Sequence, residues 1–140
     1  MTPRKVVLDT NVYIGWLNQG QHEHLLLGPG LVRYLSAVVL MELRVGATTL
    51  PARRALDKLV RAYQSGGRVV TPDSGTFDEA GLVLQRLRGA GSEIHRASLV
   101  HDVLIALSAR SIGATVLTMD SDYEAIGQVA DFRVELVSHR

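Results

Sequence analysis

Two periods of apolar and polar positions run through the chain. The first apolar block is Val6-Val7-Leu8, led in by Arg4-Lys5 and followed at once by Asp9-Thr10-Asn11. Three consecutive apolar residues, two of them β-branched, predict a short, fully buried strand. Similar blocks recur at residues 31–37, 68–70, 114–118 and 132–137. Between them the spacing turns helical, predicting helices over 12–18, 22–27, 38–47, 51–64, 74–88, 99–111 and 123–129. Gln19-Gly20-Gln21, Gly28-Pro29-Gly30, Ser65-Gly66-Gly67 and Gly89-Ala90-Gly91 separate them as turns. Pro51 suits a first helical turn, Ser98 an N-cap, and Gly113 a helix end.

The same spacing names a core. In the first helix it predicts Val12, Ile14 and Leu17 inside, with Tyr13 and Trp16 on flanking faces. Leu40, Met41, Leu43 and Val45 offer apolar surface in the third. Leu56, Leu59, Val60 and Tyr63 follow, then Phe77, Ala80, Leu84 and Leu87, then Leu99, Val103, Leu104, Ala106 and Leu107. Strands alternating with helices predict an α/β fold: a mainly parallel central sheet of about five strands, helices on both faces, and right-handed crossovers.

Composition narrows the classes. The chain has 140 residues, 46% hydrophobic and 21% charged, which fits one globular domain over residues 1–140. A net charge of +1 supplies no global field for nucleic acid, so such binding needs a local basic patch. The absence of Cys excludes thiolate chemistry and disulfides. No apolar run approaches the ~20 residues of a membrane span, and the N-terminal apolar run is too short for a secretory signal. The expectation is a soluble cytoplasmic protein without membrane contact.

Acidic residues at strand ends carry the candidate chemistry. Asp9 follows the first strand, and Asp120 and Asp122 follow the fourth; Glu42 and Asp102 sit on helices that begin near strand ends. In open parallel sheets, ligands sit beyond the carboxyl ends of the strands. Each acid also has an ordinary reading. Asp9 or Asn11 can cap a helix, Glu42 can be a solvated surface residue, and Asp102 suits the helix dipole. Crowded together, these carboxylates would repel and carry raised pKa values unless a cation neutralised them. Mg²⁺ or Mn²⁺ takes such oxygen ligands and suits phosphodiester hydrolysis. Asn11 and Thr118 are candidate polar supports.

Four segments carry a family resemblance: Val7-Leu8-Asp9-Thr10-Asn11, Met41-Glu42-Leu43-Arg44-Val45-Gly46, His101-Asp102-Val103-Leu104-Ile105-Ala106 and Leu117-Thr118-Met119-Asp120-Ser121-Asp122-Tyr123. In this order they resemble the motifs of PIN-domain ribonucleases, above all the VapC-type toxins of toxin–antitoxin pairs. The resemblance implies a metal-dependent endoribonuclease using Mg²⁺ or Mn²⁺, with Asp9, Glu42, Asp102 and Asp120 as the acidic quartet. Asp122 is then an extra or water-mediated metal ligand beside Asp9, Asp102 and Asp120, and Tyr123 stands where Phe is usual. A homodimer, an RNA substrate and a small VapB-like antitoxin that wraps the toxin and blocks its site are also implied. The alternative is a non-catalytic module of the same fold that binds nucleic acid or protein.

The remaining charged residues take two readings. Arg54, Lys58 and Arg61 fall on one helical face, either as solvated surface with Asp57 paired to Arg61 or, together with Arg44, as contacts to an RNA backbone. His22, His24, His95, His101 and His139 read as surface or incidental, with His101 turned about 100° from Asp102 around the helix. Haloacid-dehalogenase-like phosphatases need Asp where Asn11 stands. Response-regulator receivers need a Lys after the last strand, where Arg133 is the nearest cation.

Overall fold

A computed structural model describes residues 2–138; His139 lies outside them. The chain order is β1 (Arg4–Leu8), α1 (Thr10–Gln19), α2 (Glu23–Leu27), β2 (Leu31–Ser36), α3 (Ala37–Gly46), α4 (Leu50–Ser65), β3 (Val69–Val70), α5 (Ser74–Gly89), α6 (Ala97–Ser111), β4 (Thr115–Thr118), α7 (Tyr123–Gly127) and β5 (Val134–Leu136). The five strands form one parallel sheet in the order β3-β2-β1-β4-β5. Val7 sits centrally, paired with Tyr34 of β2 and Val116 of β4.

This order fixes where a site can form. From β1 the chain steps outward through β2 to β3, then returns to place β4 on the other side of β1. Right-handed crossovers therefore put α1–α4 on one face and α5–α7 on the other. The winding reverses between β1 and β4, the switch point where the loops leaving the two strands diverge and open a crevice. Asp9 and Asp120 lie just past those two strand ends.

The core follows from the apolar blocks. Val6, Val7, Leu8, Val116 and Leu117 are buried in the two central strands. Helix α6 is buried at Leu99 and without a break from Asp102 to Ala109. Ile112 stands at its C-cap, and Gly113 takes a positive φ of 70° that turns the chain into β4. No helix among the described residues is long and apolar enough to cross a membrane.

Several side chains lie elsewhere than their spacing predicts. In α1 the inward residues are Val12 and Tyr13, whereas Ile14 and Leu17 are 43% and 40% exposed. Tyr13 turns inward because its hydroxyl meets that of Tyr63 at 2.7 Å, both buried. Met41 and Val45 of α3 face outward, as does Phe77 of α5, whose buried stripe is Ala80, Val83 and Leu87. Ser98 is not the cap of α6: the helix starts one residue earlier, with Arg96 at the cap position. His22 is buried rather than on the surface.

Candidate active site

Asp9 is where β1 leaves the sheet. Its N–H still donates to Leu117 O at 2.9 Å, so the tip of β1 stays tied to β4. Its side chain caps α1, with Oδ1 accepting the Thr10 N–H at 2.8 Å. The capping reading is therefore correct, but it uses only one oxygen. Oδ2 accepts from Thr118 Oγ1 at 2.7 Å, across from β4. Thr118 Oγ1 in turn accepts from Asn11 Nδ2 at 3.3 Å and from the Asp120 N–H at 3.0 Å. Asn11 Oδ1 accepts the Met119 N–H at 3.1 Å. Asn11 and Thr118 thus lace the loop after β1 to the loop after β4, and every atom in the lacing donates or accepts as its chemistry allows.

Glu42 reaches the same place from the second turn of α3. Its Oε1 accepts from Thr10 Oγ1 at 2.7 Å, and its Oε2 lies 3.3 Å from His101 Nδ1. His101 is half-buried and bonded at the site; the reading of it as incidental is corrected. Asp102, the next residue on α6, is buried.

Electrostatics shows how close these acids are. Burial pushes the Asp102 carboxyl up to about 8, and the charges of Asp9, Asp120 and Glu42 add to the push. Asp9 is also raised by burial and by Glu42, while hydrogen bonds from Thr118 and Thr10 pull it back. The structure thus brings Asp9, Glu42, Asp102 and Asp120 to one edge of the sheet. Tyr123 lies beneath them, 1% exposed, with its hydroxyl against Asp9 and Asp102 but closing no hydrogen bond of normal geometry.

The other sequence candidates lie around this centre. Asp122 is exposed at the start of α7, and its N–H donates to Asp120 Oδ1 at 2.8 Å. Arg54, Lys58 and Arg61 are exposed on α4. Asp57 pairs with Arg44 of α3 at 2.6 Å, not with Arg61. Sequence reasoning missed Thr10 and His101. Their one signal was adjacency, since each is the chain neighbour of a candidate acid.

A family model described as the PIN domain matches residues 6–129. The chain belongs to the PIN domain family. No curated protein matches it in sequence. Among solved structures, this PIN domain is similar to a chain of VapBC2 from Rickettsia felis bound to a promoter DNA fragment. That match has a TM-score of 0.70, 19% identity, and covers 96% of this chain and 99% of that one. DNA-bound VapBC from Salmonella typhimurium gives 0.67 at 25% identity, covering 94% and 97%. VapBC-5 from Mycobacterium tuberculosis, of the VapBC family of toxin–antitoxin systems, gives 0.60 at 29%, covering 96% and 100%.

The donor set of this PIN domain fits a hard divalent cation. Asp9, Asp102 and Asp120 offer carboxylate oxygens whose mutual repulsion a cation would relieve. The buried Tyr123 hydroxyl adds an orphaned polar atom aimed at the same spot. Among the described residues no three His, Cys, Asp or Glu side chains stand close enough together to hold a metal ion by themselves. A cation there would draw at most one or two carboxylates directly and would need water for the rest of its shell, as Mg²⁺ and Mn²⁺ tolerate.

Proposed function

We propose that this PIN domain is a metal-dependent endoribonuclease and the toxin half of a toxin–antitoxin pair. The observation that carries the reading is the placement of the acids: Thr118 ties Asp9 to the Asp120 N–H, and Thr10 and His101, the chain neighbours of Asp9 and Asp102, meet Glu42. A protein that only folds has no reason to keep four acids at one strand edge, while a phosphodiesterase uses them. Bound Mg²⁺ or Mn²⁺ would supply charge neutralisation, polarisation of a phosphate oxygen and a lowered water pKa.

The chain's own residues do the rest. Asp9 and Asp102 would hold the cation, with Asp120 reaching it directly or through water. Asp9 is pre-oriented by Thr118 and the Thr10 N–H, so little reordering is needed on binding. Glu42, gripped at both oxygens, is the carboxylate that orients the attacking water and takes its proton. Asp122, exposed beside Asp120, would reach a bound cation only through water. Arg54, Lys58 and Arg61 track the RNA backbone, which carries no sequence information by itself.

The antitoxin reading rests on a groove of about 390 Å³ between α1, α3 and α4, lined by Ile14, Leu17, Leu43, Pro51, Leu56 and Glu42. Apolar side chains exposed beside an acidic residue of the site suit an amphipathic segment of a partner. A small antitoxin laid there would cover Glu42 and shut the site. The exposure of Ile14 and Leu17, unexplained by the core, then has a purpose.

The test is cleavage of RNA by the purified protein with Mn²⁺, followed by mapping of new RNA ends in cells expressing it. Asp9→Asn and Asp102→Asn should abolish cleavage and toxicity with unchanged circular dichroism. Equal cleavage by Asp9→Asn would overturn the reading. So would an absence of cleavage by the wild type on every RNA tried, which would favour a binding module.

A further inference from the structure

We propose that His101 is a positioning residue which, with Thr10, fixes the carboxylate of Glu42 beside Asp9 and Asp102; its consequence for catalysis rests on the nuclease reading above. The geometry is a two-sided grip. Thr10 follows Asp9 and donates its hydroxyl to Glu42 Oε1 at 2.7 Å. His101 precedes Asp102 and presents Nδ1 to Oε2 at 3.3 Å. The chain neighbours of two acids therefore hold the third, one on each oxygen. Three helices, α1, α3 and α6, are joined through this one carboxylate.

The grip answers a physical need. A Glu side chain has three rotatable bonds, and at the rim of an acidic cluster both repulsion and hydration draw it outward. Glu42 and His101 each keep 26% side-chain exposure, so water competes at the site. One hydrogen bond would leave the carboxylate free to swing about the bonded oxygen, whereas two on different oxygens fix its plane. An ionised carboxylate only accepts, so His101 must carry a hydrogen on Nδ1. With Nδ1 turned to the grip, Nε2 faces away from it.

Two substitutions separate donor from bulk. His101→Asn sets an amide nitrogen near where Nδ1 stands, and His101→Leu keeps volume but removes the donor. The expected result with Mn²⁺ is a kcat for RNA lowered about tenfold or more in His101→Leu, with KM within about twofold, and most of the loss recovered in His101→Asn. A second readout needs neither metal nor activity. Nitrogen-15 NMR of the imidazole should find Nδ1 of His101 protonated, and Glu42→Ala should release the ring to the Nε2–H form. A bare Nδ1 in the wild type would overturn the proposal, as would His101→Asn behaving no better than His101→Leu. If the wild type cleaves no RNA, the nuclease reading fails while the NMR result still decides the grip.

Discussion

Thr118 Oγ1 donates to Asp9 Oδ2 at 2.7 Å, joining two residues at the tips of neighbouring strands. The same oxygen accepts from Asn11 and from the Asp120 N–H, so one hydroxyl organises both loops of the switch point. Removing it would leave a buried carboxylate short of a donor and two N–H groups short of an acceptor. Thr118→Val should cost about 1–3 kcal/mol of stability, the range for buried polar groups left unpaired. Thr118→Ser should cost clearly less. Urea unfolding checks both.

Asp102 makes stability depend on pH. Its folded pKa, about 8, lies above the ordinary 3.8 of the unfolded chain. The folded state therefore holds a proton that the unfolded state has lost, and the resulting stabilisation is fully present below about pH 4 and lost as pH rises through 8. The metal-free protein should lose melting temperature from this group between pH 5 and 8. Asp102→Asn should flatten that slope, and Mn²⁺ should restore the loss at the alkaline end. Thermal melts in the presence of a chelator and of Mn²⁺ measure all three.

Tyr123 carries its hydroxyl into the acidic site without a bonded partner of normal geometry. A buried hydroxyl without a partner costs stability. Tyr123→Phe keeps the ring beside Phe132, whose centroid is 6.2 Å away. It should leave the metal-free melting temperature unchanged or higher, while weakening Mn²⁺ binding several-fold. Scanning calorimetry and a metal titration on the same variant separate these effects.

The Tyr13–Tyr63 hydroxyl pair is a test of the fold away from the chemistry. Tyr13→Phe or Tyr63→Phe alone leaves its partner orphaned, at a cost of about 1–3 kcal/mol. The double variant should cost less than the sum of the two, because no orphan remains. Chemical denaturation of the three variants provides the cycle.

The strands were legible because buried parallel strands are short apolar blocks, and Val6-Val7-Leu8 has no competing reading. Helix α6 was legible for the same reason. Side-chain direction was harder where a helix has more apolar residues than one face can hold. Ile14 and Leu17 compete with Val12 and Tyr13, and only the distant Tyr63 hydroxyl decides the matter. Asp57 chose Arg44 on another helix over Arg61 four residues away, since packing of α3 on α4 brings Arg44 closer. The acids of the site were visible from strand ends and motif order. His101 was not, because its meaning lies in α3, and helical spacing within α6 says nothing of α3.

On the proposed function, folding gathers Asp9, Glu42, Asp102 and Asp120 at one edge of the sheet, where a divalent cation makes their charges tolerable. The most direct measurement is a calorimetric titration of Mn²⁺ into the wild type, Asp9→Asn and Asp102→Asn near neutral pH. Saturable binding by the wild type, weakened at least about tenfold in both variants with the fold intact, is the predicted result. A wild type that takes up no Mn²⁺, or variants that bind as it does, would contradict the account.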